Sequence, residues 1–369
     1  MSDDFKEKLK AYVEGTLSEE EKVLMEKELE KLELYQEILD EQCDLNSPYQ
    51  TNFDENIIKN QNKIIKKSKW KARLQNACIT LIILNILFLI SQTLTSKYYS
   101  LGNPSKETLY RNAIRAVIET TRPNADANGS TARKGIFFSR EIGIQYSQQV
   151  GKDKIDEGNL TVKFNFKNPV VITDKLPITS KLNRYYFNSS IPHSNDGNLY
   201  QDSTMWNTLE KLPEGTVTEA YITFNKLYDT DEVFNIFKDK NLDLLWLAVD
   251  TGIKDDPCTA LGFPHTERFP NLRRNWFDPP PTSVEKYKNG KFRNDYFIDT
   301  LKFLNEHKAI TNTVYSDESI EEALNYVNKN GVKIIGVTIT GPTKEILKLR
   351  EDNLVGLIRV GESRLWNWD

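Results

Sequence analysis

Apolar positions fall into three regimes along the chain. In residues 1–45 they recur every three or four places among charged neighbours: Phe5, Leu9, Tyr12 and Val13, then Leu24, Met25, Leu29, Leu32, Tyr35, Ile38 and Leu39. That spacing predicts two amphipathic helices. Gly15 separates them and suits the left-handed geometry of a helix stop. Ser18 followed by Glu21 has the capping-box arrangement, so the second helix is expected to run from there to about Cys43. Glu19, Glu20 and Glu21 lie where the helix dipole favours negative charge. In the second regime, residues 77–94 (ACITLIILNILFLISQTL) carry no charged side chain at all. As a helix they reach about 27 Å, close to the ~30 Å hydrocarbon core of a bilayer. Asn85 in the middle, and Gln92 and Thr93 near the far end, weaken the run.

The third regime is that of an ordinary folded domain. Leu109, Ala113, Ala116 and Val117 predict that the helix continues across residues 97–118. Pro123, Gly129 and small polar residues then predict a loop, exposed to proteases if it stands clear of the fold. Alternation in GIFFSREIGIQYS and NLTVKFNFKN predicts strands, with Asp156, Glu157, Gly158 and Asn159 as a turn. Further strands are expected at 217–224, 242–249, 332–339 and 354–360. Helices are expected at 229–238, 293–307 and 318–329, and one opening at Pro342. Strands interleaved with helices imply an α/β or α+β layered domain.

Charge decides how the apolar run is read. Lys59, Lys63, Lys66, Lys67, Lys69, Lys71 and Arg73 precede it with no acidic residue among them, and only Lys97 follows closely. Basic residues stay on the cytoplasmic side and aromatics favour the interfaces. The run is therefore expected to span the membrane once, amino terminus inside, with Trp70, Tyr98 and Tyr99 at the membrane interfaces. A buried core helix is a poorer match to these flanks, and a cleaved signal peptide would not begin so late. The expected organisation is a helical cytoplasmic unit (1–56), a basic juxtamembrane segment (57–76), a transmembrane helix (77–95), an extracytoplasmic stalk (96–133) and an α/β or α+β extracytoplasmic domain (134–369). Residues 1–56 hold 17 acidic side chains against 6 lysines, so the helical unit suits a partner that welcomes negative charge. The three cysteines, Cys43, Cys78 and Cys258, fall in three different compartments and cannot pair within the chain.

Chemistry is sparse. His193, His265 and His307 stand far apart in unlike contexts, and no Gly-x-Ser-x-Gly elbow occurs. Thr340-Gly341-Pro342-Thr343-Lys344 has the composition of a phosphate loop but lacks the longer frame, and reads as a strand-to-helix turn. Neither catalysis, a cofactor nor a metal is expected. The striped acidic helices cannot bury their own apolar face in some fifty residues. They form a homodimer, a closed hairpin, or a docking unit for a partner protein.

The opening FKEKLKAYVEGTLSEEEKVLMEKELEKLELYQEILDE resembles the cytoplasmic portion of membrane-anchored anti-sigma factors of Gram-positive bacteria, with the Gly-x-Leu-Ser-x-x-Glu turn at Gly15, Leu17, Ser18 and Glu21. TEAYITFNKLYDTDEVFNIF, LLWLAVDTG and the closing GVTITGPTKEILKLREDNLVGLIRVGESRLWNWD resemble the sigma factor regulators, whose best-known members restrain sigma factors of the sigma-M type. The resemblance implies an anti-sigma factor that sequesters an extracytoplasmic-function sigma factor at the membrane and releases it on envelope stress. It implies no direct contact with nucleic acid, a lipid bilayer as anchor, and room for a small companion membrane protein or an envelope ligand outside. Many anti-sigma factors carry a His-x-x-x-Cys-x-x-Cys zinc site. No histidine precedes His193 here, and Cys43 stands alone in the inner segment. The expected sigma-binding anchors are Leu9, Tyr12, Leu29, Leu32 and Ile38. The alternative is a membrane-anchored extracellular enzyme or binding module acting on the cell wall.

Overall fold

The computed structural model describes residues 8, 11–12, 17–45, 55–175, 186–193, 203–253, 260–273, 282–315, 319–366 and 368. The chain forms two compact units, Met1–Ile82 and Ile83–Asp369. In the first, helix α1 spans Glu19–Leu45. Its start is the expected capping box. The Ser18 N–H donates to Glu21 Oε2 at 3.1 Å, and Ser18 Oγ accepts from the Glu21 N–H at 3.4 Å. Helix α2 runs unbroken through Glu55–Ser100, because neither glycine nor proline interrupts those 46 residues. Among the described residues it is the one helix long and apolar enough to cross a membrane.

Gly102 (φ +99°) stops α2, and Ser105 restarts the chain as α3 (Lys106–Thr121), its Oγ accepting from the Thr108 N–H at 3.2 Å. The single helix expected across 97–118 is therefore two. The predicted face of α3 is right: Ala113, Ala116 and Val117 are buried, together with Ile114 and Ile118. The loop expected after it is instead strand β1 (Asp126–Lys134), paired antiparallel with β2 (Ser139–Val150). Small polar residues and glycine suit this edge position, for the Gln145 side chain occupies the space a Gly129 side chain would need. Residues 106–133 thus belong to the folded unit rather than to a stalk, and the exposed protease target expected there is a paired strand.

Strands β3 (Asp153–Asn165) and β4 (Asn168–Lys175) complete a four-stranded antiparallel meander. The turn expected at 156–159 lies inside β3, while the chain actually reverses at Gly151 and Lys152. Gly158 sits in the strand because the Tyr146 ring packs where its side chain would be. Ile142, Ile144 and Tyr146 of β2 and Leu160, Val162 and Phe164 of β3 are buried in the same core as α3.

A second, five-stranded sheet follows. In chain order come α4 (Ser203–Lys211), β5 (Thr216–Tyr228), α5 (Thr230–Phe237), β6 (Asp243–Val249), β7 (Gly262–Pro264), β8 (Arg268–Phe269) and β9 (Thr282–Ser283). Then come α6 (Gly290–Glu306), α7 (Lys308–Val314), α8 (Ser319–Asn330), β10 (Ile334–Pro342), α9 (Thr343–Lys348) and β11 (Val355–Leu365). The strand order is β11-β5-β10-β6-β7 and every pair is antiparallel, so the unit is α+β and the α/β alternative falls. Both faces of the sheet are covered. One joins the main core with α3, α5, α6 and α8, and the other carries Phe187, Tyr221, Trp246 and Ile335. Thr340–Lys344 is the strand-to-helix passage from β10 into α9, as expected.

Two polar devices lock this unit. The fully buried Arg293 of α6 donates to the carbonyls of Thr266 (2.5 Å), Glu285 (3.0 Å) and Lys286 (3.0 Å), and its guanidinium lies near the Phe234 and Phe269 rings. Five donors in a rigid fork let one side chain satisfy a loop's orphaned carbonyls. Asn124, held in the left-handed region at φ 58°, joins the two sheets. It bonds Gln149 through both backbone groups and donates to Glu219 Oε1 of β5 at 2.5 Å.

Candidate functional site

The stripe of α1 is an exposed apolar surface of the first unit. The turn of helix holding Ala11 and Tyr12 approaches one side of it: the Tyr12 hydroxyl donates to Glu26 Oε1 at 3.2 Å, and Met25 is only 3% exposed. The rest of the stripe is open. Leu32 is 38% and Ile38 52% exposed, and Leu24, Tyr35 and Leu39 join them on the same arc of the helix. Leu29 is half-buried. Of the five expected anchors, Leu32 and Ile38 therefore share an open face, while Leu29 and Tyr12 lie nearer the covered side. Leu9 lies outside the described residues. A large apolar side chain left in water forgoes about 1.5–3 kcal/mol of burial free energy, so such a stripe is a surface awaiting cover.

Along α2 the expected interface aromatics differ in their surroundings. Trp70 is exposed on the helix. Tyr99, however, is 1% exposed and faces protein: its hydroxyl lies 2.9 Å from the carbonyl oxygen of Phe138 and 3.2 Å from that of Phe166. Tyr98 is half-buried, edge-on to Phe138 and Phe166, with the Lys106 ammonium 3.7 Å over its ring. Two helix hydroxyls accept from the tip of the β1–β2 hairpin: Ser91 Oγ from the Phe137 N–H (2.8 Å) and Thr95 Oγ1 from the Phe138 N–H (3.0 Å). The polar residues at the end of the apolar run thus include the groups that seat this hairpin, a role that periodicity could not reveal.

The hairpin tips are unusual. Phe137 (φ 51°), Phe138 (φ 59°) and Phe166 (φ 57°) all adopt left-handed backbone, which costs an L-residue roughly 1–2 kcal/mol. Such positions in tight hairpins ordinarily take Asn or Gly.

Farther from α2, a cavity of about 390 Å³ opens between α3, β2, β6, β7 and α6. Ion pairs line it: Arg115 with Glu119 at 2.7 Å, Lys286 with Asp243 at 2.9 Å, and Lys154 with Asp126. Burial raises Glu119, and Arg115 beside it offsets only part of that. Burial would also raise Asp243, but the ammonium groups of Lys286 and Lys152 outweigh it and hold the carboxyl below its ordinary range. His265 at the rim lies between the carbonyls of Leu244 (3.0 Å) and Lys286 (2.5 Å). Burial, aided by Arg293, lowers its pKa to about 4 against the opposing pull of the two carbonyls. His193 pairs with Asp250 at 3.3 Å and His307 with the Phe303 carbonyl at 2.9 Å, each apart from His265.

Residues 62–155 match the sigma factor regulator N-terminal family and residues 209–362 the sigma factor regulator C-terminal family. The chain belongs to the sigma factor regulators, a regulatory family and the one its sequence resembles. Over 381 residues it is 29% identical to the probable anti-sigma-M factor YhdL of Bacillus subtilis (strain 168), with all of both chains covered. No solved structure matches the chain. The first match begins within α2 and ends in β3, and the second runs from α4 into β11. Helix α1 lies outside both and is aligned by the full-length relative.

Proposed function

We propose that this protein is an anti-sigma factor that spans the membrane once and holds an extracytoplasmic-function sigma factor at its inner face. Helix α1 and the short helix before it are the sequestering element, and envelope stress, received outside, releases the partner. The observation that carries this reading is the uncovered stripe of α1 on an acidic helix. Its acidic residues steer a basic surface toward it, and the stripe supplies affinity once docked. The full-length likeness to an anti-sigma-M factor and the family membership support regulation over the alternative of a wall-acting enzyme. The cations of 63–73 against the lone Lys97 support an amino terminus inside. Trp70 and Tyr98 are then the interface aromatics.

The test is co-purification of the full-length chain with a small sigma factor encoded beside it. Loss of two buried leucine anchors should weaken binding by about 3 kcal/mol or more, over a hundredfold. Leu29→Asp combined with Leu32→Asp is therefore expected to leave the sigma factor in the flow-through. Undiminished capture by that double variant would refute the assignment of α1 as the binding element.

A further inference from the structure

We infer that the two hairpin tips of the four-stranded sheet, Ile136–Phe138 and Phe166, are seated in the outer leaflet of the bilayer, making this sheet a lipid-contacting element beside the transmembrane helix. The inference rests on the reading of α2 as a membrane span. Depth is set by hydrogen bonds. The Phe137 and Phe138 amides donate to Ser91 and Thr95, and Ser91 lies within the uncharged run. Ser91 precedes Lys97 by six positions along the helix, so the Phe137 amide sits roughly 9 Å inside the level of that lysine. Whatever surrounds α2 at Ser91 also surrounds the tip bonded to it there.

The side chains at the tips suit that depth. Phe137 is 73% and Phe166 49% exposed, and Ile136 is exposed beside them. The two tips are joined, since the Phe166 N–H donates to the Phe138 carbonyl at 3.0 Å and the rings of Phe138 and Phe166 stack at 4.5 Å. Exposed phenylalanine in left-handed positions is unfavourable twice over in water, sterically and by hydration; in lipid the second objection disappears. Exposed Lys97, Arg133, Lys134 and Lys167 flank the patch, where headgroup phosphates would meet them. A bilayer supplies an apolar layer bounded by anionic groups at that spacing, without a partner of special shape.

The experiment uses the full-length chain with Cys43, Cys78 and Cys258 replaced by Ser, reconstituted in phosphatidylcholine–phosphatidylglycerol vesicles. A nitroxide is attached in turn through Phe137→Cys, Phe166→Cys, Leu87→Cys in mid-span, and Lys329→Cys on α8. Collision with oxygen is then compared with collision with a water-soluble nickel chelate. Labels at 137 and 166 are expected to shift toward oxygen, as at 87, while 329 stays nickel-accessible. Tips as nickel-accessible as 329, with 87 still in lipid, would overturn the inference and leave the span intact. Nickel access at 87 would overturn the span reading and this inference with it. Tips shielded from both reagents would mean a protein contact and would equally overturn it.

Discussion

Helices α1 and α3 carry the same kind of pattern, apolar residues every three or four positions among charges, yet the fold treats them in opposite ways. Helix α3 buries Ala113, Ile114, Ala116, Val117 and Ile118 in the main core. Its cover arrives from later in the chain, as strands of both sheets and helices α6 and α7. Helix α1 is longer, yet among its described large apolar side chains only Met25 is buried, while Leu24, Leu32, Tyr35, Ile38 and Leu39 stay open. Periodicity announces that a face will be covered and is silent about what covers it. Among the described residues, the first unit offers α1 only the turn at Ala11 and Tyr12 and part of α2, whereas α3 has a whole domain.

The largest effect expected from this contrast is on stability. Ile114→Ala should cost about 2–5 kcal/mol, since it empties a close-packed site. Leu32→Ala should stay within about 0.5 kcal/mol, as surface substitutions do. Thermal unfolding of the full-length chain in detergent reads both. If Leu32→Ala lowered stability as much as Ile114→Ala, the stripe would be covered within the chain and the contrast would collapse. Capture of the sigma factor should rank them in reverse order.

A smaller effect separates carboxylates in water from those in the core. Glu21, Glu26, Glu28, Glu30, Glu33 and Glu37 of α1 lie at the surface, whereas Glu219 of β5 is 2% exposed. Burial raises its pKa, and the hydrogen bonds from Asn124 and the Glu362 N–H only partly counter this. With a folded value above the unfolded one, the folded state holds the proton longer, so stability falls as pH rises from the ordinary carboxylate range through that raised value. Glu219→Gln should flatten this portion of the unfolding-temperature profile between acid and neutral pH. An unchanged slope would mean that other buried acids, Glu119 first among them, set it.

Where the chain's own periodicity decides the outcome, the sequence reading succeeds. The capping box at Ser18, the buried face of α3, strands β5, β6, β10 and β11 and helices α5, α6, α8 and α9 are legible because local pattern and final burial agree; β7, β8, β9 and α7 are not. It failed where a distant partner decides. Asp126–Lys134 has the composition of a loop and is a strand because β2 pairs with it. Gly158 looks like a turn and instead makes room for the Tyr146 ring. Tyr99 has the look of a membrane belt residue, yet its hydroxyl meets carbonyls some forty and seventy residues onward. Of the candidate site, the stripe was legible residue by residue; its division into a covered and an open side was not, because that depends on how the helix before α1 packs.

The smallest effect probes the two helix starts, which are chemically alike. Ser18 and Ser105 each cap their helix, accepting from Glu21 N–H and Thr108 N–H respectively. Replacing a serine cap by alanine costs about 0.5–2 kcal/mol. In α3 tertiary packing holds the helix, so Ser105→Ala should register as a modest fall in unfolding temperature, with the amide of Leu109, which keeps its bond to the residue 105 carbonyl, still slow to exchange. Helix α1 lacks that cover, and a helix without tertiary support is marginal in water. Ser18→Ala should therefore act locally, accelerating hydrogen exchange at Glu21 and Lys22 and leaving global unfolding unmoved. Bound sigma factor should restore the protection, because a covered α1 would then behave as α3 does. Equal exchange in the two variants without a partner would show that α1 is already as well supported as α3, and the difference between the two helices would lie in their residues alone.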